Sequence, residues 1–126
     1  MKYLLDTHTF LWWMSEPDRL SARVLLTIEE HPEEVVFSAV SGWEMAIKVG
    51  LGKLEGVPLD DLADEVTAQG WTTLPFGLSY VATLASLPHH HRDPFDRALI
   101  AQALVEDLTF LTRDPRVRAY DVRTLW

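Results

Sequence analysis

Asp6, Glu44, Asp96 and Asp114 are distant along the chain, yet each stands where a carboxylate can do chemistry. Asp6 ends the short run Lys2-Tyr3-Leu4-Leu5, and Asp114 follows the apolar segment 108–112. Glu44 lies in a helix directly after the segment 34–38, and Asp96 in the first turn of a long helix opened by Pro94. If those segments are strands of an open parallel sheet, ligands bind outside their carboxyl ends, where all four acids fall. Four converging carboxylates repel one another unless a divalent cation compensates them. An all-oxygen donor set of this kind suits Mg²⁺ or Mn²⁺ better than zinc. Such a cluster meets the needs of phosphodiester hydrolysis: an acidified water, in-line geometry and neutralisation of charge on the leaving oxygen.

Each acid also has a local structural explanation. Ser41-Gly-Trp-Glu44 reads as a capping box, in which Glu44 satisfies a free N–H at its helix start. Asp93-Pro94 and Asp114-Pro115 are the N-cap followed by first-turn proline pattern, and Asp96 suits the positive end of its helix dipole. Capping and metal binding are compatible, because a capping carboxylate keeps a lone pair to offer. His89, His90 and His91 are consecutive, so they cannot all face one ion, and they read as an exposed loop beside the acidic edge.

The elements that must carry these residues follow from the apolar pattern. Helices are expected at 8–15, after Ser21 and before Pro32, and at 41–50, 58–70, 78–87 and 94–106; strands at 2–5, 34–38, 71–74, 108–112 and 122–125. Residues 113–115 read as a turn. Strands alternating with helices at these lengths imply an α/β fold with a mostly parallel central sheet and helices on both faces. The helix at 94–106 is almost uniformly apolar, and so is expected to be buried on several sides. With 126 residues the chain suits one domain, 1–126, and 48% apolar with 24% charged residues is an ordinary globular composition. No apolar run approaches the ~18 residues of a membrane span, and no signal peptide is visible, so a cytoplasmic protein is expected. The absence of cysteine excludes disulfides, thiolate metal sites and a cysteine nucleophile.

The net charge of −8 speaks against a nucleic-acid binder until its distribution is considered. Residues 1–91 hold five basic and 13 acidic side chains, whereas residues 92–126 hold six of each, the bases all arginine. Arg92, Arg97, Arg113 and Arg116 surround the acidic motifs and are candidate phosphate contacts, through the planar bidentate fork of the guanidinium.

Four stretches in order, Leu4-Leu-Asp6-Thr-His8, Ser38-Ala-Val-Ser-Gly-Trp-Glu44-Met-Ala-Ile-Lys48, Arg92-Asp-Pro-Phe-Asp96-Arg-Ala-Leu-Ile-Ala-Gln-Ala103 and Leu111-Thr-Arg-Asp114, resemble the signature of PIN domains. The likeness covers essentially the whole chain and is nearest to the VapC-like toxins of type II toxin-antitoxin systems. It implies a single PIN-like domain and an endoribonuclease that uses one or two Mg²⁺ or Mn²⁺ ions, held inactive by a cognate antitoxin. Asp6, Glu44, Asp96 and Asp114 match the four acids of the family. Asp6, Glu44 and Asp96 are assigned to a first metal, and Asp114 to a second or to orienting the attacking water. Within the third motif Asp96 is preferred because it leads into the apolar run, with Asp93 as N-cap or secondary ligand. Thr7 and Thr112 match small polar positions able to support metal or water.

Other readings fare less well. A phosphoacceptor receiver domain needs an Asp at the end of a central strand, and residues 71–77 supply none. No serine nucleophile elbow is present. A catalytically inactive PIN-like module that binds a partner and keeps the acids as caps is the alternative. Phe10-Leu-Trp-Trp-Met14 surrounds a helix with bulky apolar residues, so one face is expected to pack deeply or to cover a partner, either a second copy in a homodimer or an antitoxin segment.

Overall fold

The computed structural model describes residues 2–126. Five strands form one sheet: β1 (Tyr3–Leu5), β2 (Val35–Ser38), β3 (Thr72–Leu74), β4 (Thr109–Leu111) and β5 (Thr124–Leu125). Their order is β3-β2-β1-β4-β5 and every pairing is parallel. The chain builds outward from β1 to β2 and β3, then returns to lay β4 on the other side of β1. That reversal opens a crevice at the carboxyl ends of β1 and β4, where Asp6 and Thr112 stand.

The alternation of strand side chains divides the core into two layers. Leu4, Val36 and Phe110 face α6 (Pro94–Glu106), while Leu5, Val35, Phe37 and Leu111 face α1 (Thr7–Ser15) and α2 (Ala22–Glu30). Helix α6 is buried continuously from Asp96 to Ala103, as its uniform apolarity requires. Helix α3 (Ala39–Gly50) sits between the layers, giving Val40 to one and Met45 to the other. Among the described residues no helix is long and apolar enough to cross a membrane.

Several expected boundaries move. Helix α3 starts at Ala39, two residues before Ser41, capped by Ser38, whose hydroxyl accepts from the Val40 N–H and donates to Gln102 Oε1 at 2.5 Å. The expected capping box is therefore absent, and Ser41 instead accepts a hydroxyl bond from Thr7. The segment 58–70 divides into a 3₁₀ turn (Leu59–Asp61) and α4 (Leu62–Ala68), and Gly70 ends it with φ of 79°. The segment 78–87 likewise divides into a 3₁₀ turn (Leu78–Tyr80) and α5 (Val81–Ser86). The turn after β4 is a short helix, α7 (Pro115–Arg118), and the last strand shrinks to Thr124–Leu125.

The aromatic helix α1 packs largely on its own fold. Phe10 is fully buried, and Trp13 lies 4.7 Å from Trp71 in a T-shaped contact. Trp12 meets Trp126 at 6.0 Å, and both Trp12 and Trp13 are half-buried. The exposed tryptophan is Trp43 on α3, 58% accessible, at the edge of an apolar groove of about 600 Å³ lined by Val40, Pro75, Phe76, Leu84 and Ala98.

Candidate active site

Asp6 opens α1 as its N-cap, yet its side chain makes no cap hydrogen bond. The carboxylate turns into the crevice, where Oδ2 accepts the Thr112 hydroxyl at 2.5 Å. Thr112 in turn accepts the Asp114 N–H at 3.1 Å, so one hydroxyl locks the carboxyl ends of β1 and β4 together. Asp6 Oδ1 is buried without a hydrogen-bond partner. Burial pushes the Asp6 carboxyl above its usual range, against the opposing influence of the Thr112 bond and of His8.

Glu44, one and a half turns into α3, does not cap the helix either. It is 2% exposed; Oε2 takes a 2.7 Å ion pair from Lys48, one turn further on, while Oε1 is buried without a partner. Lys48 was not singled out in the sequence, although the (i, i+4) spacing from a buried acid is the signal that finds it.

Asp96 is held in the first turn of α6 by its own neighbours: Asp93 caps that helix, accepting from the Phe95 and Asp96 N–H groups at 2.9 and 3.1 Å. Asp93 is thus the cap, and Asp96 is left free to face the crevice. Burial raises the Asp96 pKa to about 8, reinforced by Asp6, Asp93, Glu44 and Asp114. Those same acids are near enough to Asp96 to act on it electrostatically.

Asp114 behaves differently. It caps α7 through the Arg116 N–H, and the Arg116 guanidinium grips its two oxygens at 2.9 to 3.3 Å. That bidentate hydrogen bonding holds the Asp114 carboxyl below its ordinary range. Among the described residues no three Asp, Glu or His side chains already stand at ion-holding distance. The oxygen donors nevertheless fit a hard cation: two buried carboxylate oxygens, Asp6 Oδ1 and Glu44 Oε1, lack any partner, an arrangement costly to maintain in a protein interior unless something else binds there.

The remaining expected residues sort by exposure. Thr112 supports Asp6, whereas Thr7 is buried and ties α1 to α3 through Ser41. Arg113 and Arg116 are exposed at the rim, Arg113 lying 5.2 Å over the Trp12 ring, and Arg92 is exposed on the loop before α6. Arg97 is not available to a phosphate: it is 9% exposed, and its guanidinium donates to the Leu87 and Pro88 carbonyls and to the Tyr120 hydroxyl. The histidine loop also divides. His89 and His90 are exposed, but the His91 ring turns inward, 6% accessible, with Nε2 at 3.2 Å from Asp96 Oδ2. A cavity of about 250 Å³ lined by Asp6, His8, Trp12, Arg113, Asp114 and Pro115 opens the crevice to solvent.

A parallel α/β domain with an acidic pocket at the carboxyl edge of its reversing sheet is the class these observations define. The PIN domain family matches residues 3–123, and the chain belongs to that family. The chain is similar to Ribonuclease VapC22 of Mycobacterium tuberculosis, 33% identical over 123 residues, covering 93% of this chain and 90% of the relative. Its fold is similar to a chain of the VapBC2 complex of Rickettsia felis bound to a DNA fragment from their promoter, with TM-score 0.75 and 12% identity over 99% of this chain and 98% of that one. A chain of the FitAB complex bound to the IR36 DNA fragment is 26% identical, with TM-score 0.67 over 98% of this chain and 93% of that one.

Proposed function

We propose that this protein is a metal-dependent endoribonuclease that hydrolyses RNA phosphodiesters, the toxin of a toxin-antitoxin pair restrained by a cognate antitoxin. The observation that carries the reading is the pair of buried, unpartnered carboxylate oxygens on Asp6 and Glu44 beside an Asp96 raised to about 8. Similarity to a ribonuclease over nearly the full length supports the activity, and similarity to chains of two toxin-antitoxin complexes supports the antitoxin.

Asp6, Glu44 and Asp96 would hold the ion, Mg²⁺ or Mn²⁺, with Asp114 holding a second ion or orienting the attacking water. When bound, the ion supplies water acidification and compensation of charge at the scissile phosphate. The chain's own residues do the positioning. Thr112 fixes the Asp6 rotamer so that one oxygen stays directed into the crevice. Lys48 balances Glu44 and keeps its second oxygen open. Arg113 and Arg116 at the rim, with Arg92 on the neighbouring loop, offer guanidinium forks to backbone phosphates, and a phosphate can compete with Asp114 for Arg116. The Trp12 ring beside the cavity gives an unpaired base a stacking surface, which favours single-stranded or loop RNA.

The groove around Trp43 and Phe76 is assigned to a second copy of the chain in a homodimer. Trp12 and Trp13 on α1, where the partner surface is expected, pack on Trp126 and Trp71 but remain half-buried, so α1 stays a candidate for that surface beside α3. The test of the site is mutational. Asp6→Asn and Asp96→Asn are expected to abolish cleavage by the purified protein while Asp93→Asn keeps it; a dead Asp93→Asn beside a live Asp96→Asn would reassign the third acid.

A further inference from the structure

The inward histidine belongs to a chain of hydrogen bonds whose direction is fixed by chemistry. Arg97 can only donate, and its Nη1 lies 3.0 Å from the Tyr120 hydroxyl. The same oxygen also receives the His91 main-chain N–H at 3.4 Å. With its lone pairs so engaged, Tyr120 has one remaining capacity: donating its proton to His91 Nδ1, 2.9 Å away. His91 Nδ1 is then an acceptor and its proton resides on Nε2, which faces Asp96 Oδ2 at 3.2 Å. Arg116 approaches that oxygen as well, at 3.8 Å.

The arrangement is built rather than incidental. Tyr120 is 4% exposed, the His91 side chain 6%, and Arg97 is anchored on two further carbonyls of the loop that leads to His91. The loop, α6 and the segment after α7 therefore meet at one imidazole. We infer that His91 is a positioning residue for the metal site: its Nε2–H, set in that tautomer by Tyr120 and Arg97, pins one oxygen of Asp96 so that the other faces the ion. The inference rests on Asp96 being a ligand, as proposed above. Outer partners of this kind typically change metal affinity about 10–100-fold when removed.

Two measurements on the full-length protein without RNA test it. Long-range proton–nitrogen correlation spectra of ¹⁵N-labelled protein, with chelator and with Mg²⁺, are expected to show His91 protonated at Nε2 in both. Tyr120→Phe should relax it to a tautomer mixture. Paramagnetic resonance of free Mn²⁺ reads affinity directly: His91→Ala should bind about 10–100-fold more weakly. His91→Gln, which restores an amide donor near the Nε2 position, should recover most of that loss, and His89→Ala on the exposed part of the loop should bind like the parent. An Nδ1–H tautomer in the parent, or His91→Ala binding within twofold of it, overturns the inference. If His91→Ala fails to fold, the parent tautomer and its response to Tyr120→Phe decide. Asp96→Asn separates the two claims. Loss of Mn²⁺ binding there with full binding in His91→Ala sinks only the positioning role; undiminished binding in Asp96→Asn sinks the metal-site reading and the inference with it.

Discussion

Asp96 dominates the electrostatics of the crevice, and its protonation sets a measurable signature. Its folded pKa of about 8 lies far above the ordinary carboxylate value, because the site is buried and faces other acids. Between about pH 4 and pH 8 the native state keeps a proton that the unfolded chain has lost, so metal-free stability falls as pH rises through that window and levels above it. Asp6, also raised, acts in the same direction, while Asp114, lowered by Arg116, loses its contribution only in acid. Asp96→Asn is therefore expected to melt higher than the parent in chelator at neutral pH, by ~1 kcal/mol or more, the worth of a single pKa unit. Excess Mg²⁺ should reverse the order, since only the parent keeps every ligand. Melts in both conditions check this, and a variant no more stable in chelator would contradict it. Thr112→Val keeps the shape but strips Asp6 Oδ2 of its partner, so a stability loss of about 1–3 kcal/mol in urea melts and a fall in cleavage rate are expected together. The positions of Asp6, Asp96 and Asp114 were legible from sequence because strand ends and helix starts bracket them. His91 was not: nothing local distinguishes it from His89 and His90, and its hydroxyl partner lies 29 residues on.

At the scale of elements, small polar residues decide where helices begin, and α3 starts from Ser38 rather than from the expected Ser41. Ser38 prevails over Ser41 because the buried Gln102 of α6 takes its hydroxyl proton and donates to the Pro75 carbonyl at 3.2 Å. Gln102 thereby fixes the ends of β2 and β3, and through Ser38 the start of the helix that carries Glu44. Gln102→Leu would leave the Pro75 carbonyl and the Ser38 hydroxyl short of partners in the core. A loss of about 1–3 kcal/mol is expected, read as a lower urea midpoint with unchanged slope, accompanied by weaker Mn²⁺ binding as Glu44 shifts. Stability within 0.5 kcal/mol of the parent, on the scale of a surface substitution, would contradict this role. The alternation of strands and helices, and the burial of α6, were legible because periodicity and apolarity record them. The division of 58–70 and 78–87 into a 3₁₀ turn and a short helix was not, since apolar spacing tolerates either geometry over one turn.

For the whole molecule, the charge division and the two surfaces matter most. The arginine-rich last part of the chain supplies both the buried anchor Arg97 and the rim guanidiniums of Arg113 and Arg116, so an overall charge of −8 coexists with a cationic rim on an acidic pocket. Trp43 and Phe76, at 58% and 41% exposure, mark the groove proposed for a second copy. Sedimentation should show a dimer for the parent and a monomer for Trp43→Lys with its melting temperature little changed; a monomeric parent would contradict the assignment. The bulky run from Phe10 to Met14 signals burial without saying whether against the chain's own core or against a partner. The activity proposed for the carboxyl edge of the sheet is metal-dependent RNA cleavage. The direct measurement is hydrolysis of single-stranded RNA by purified protein in chelator, after adding Mg²⁺ or Mn²⁺, and by Asp6→Asn under the same conditions. Internal cleavage that appears only with the metal and only in the parent is the predicted result; undiminished cleavage in chelator, or by Asp6→Asn, would contradict it.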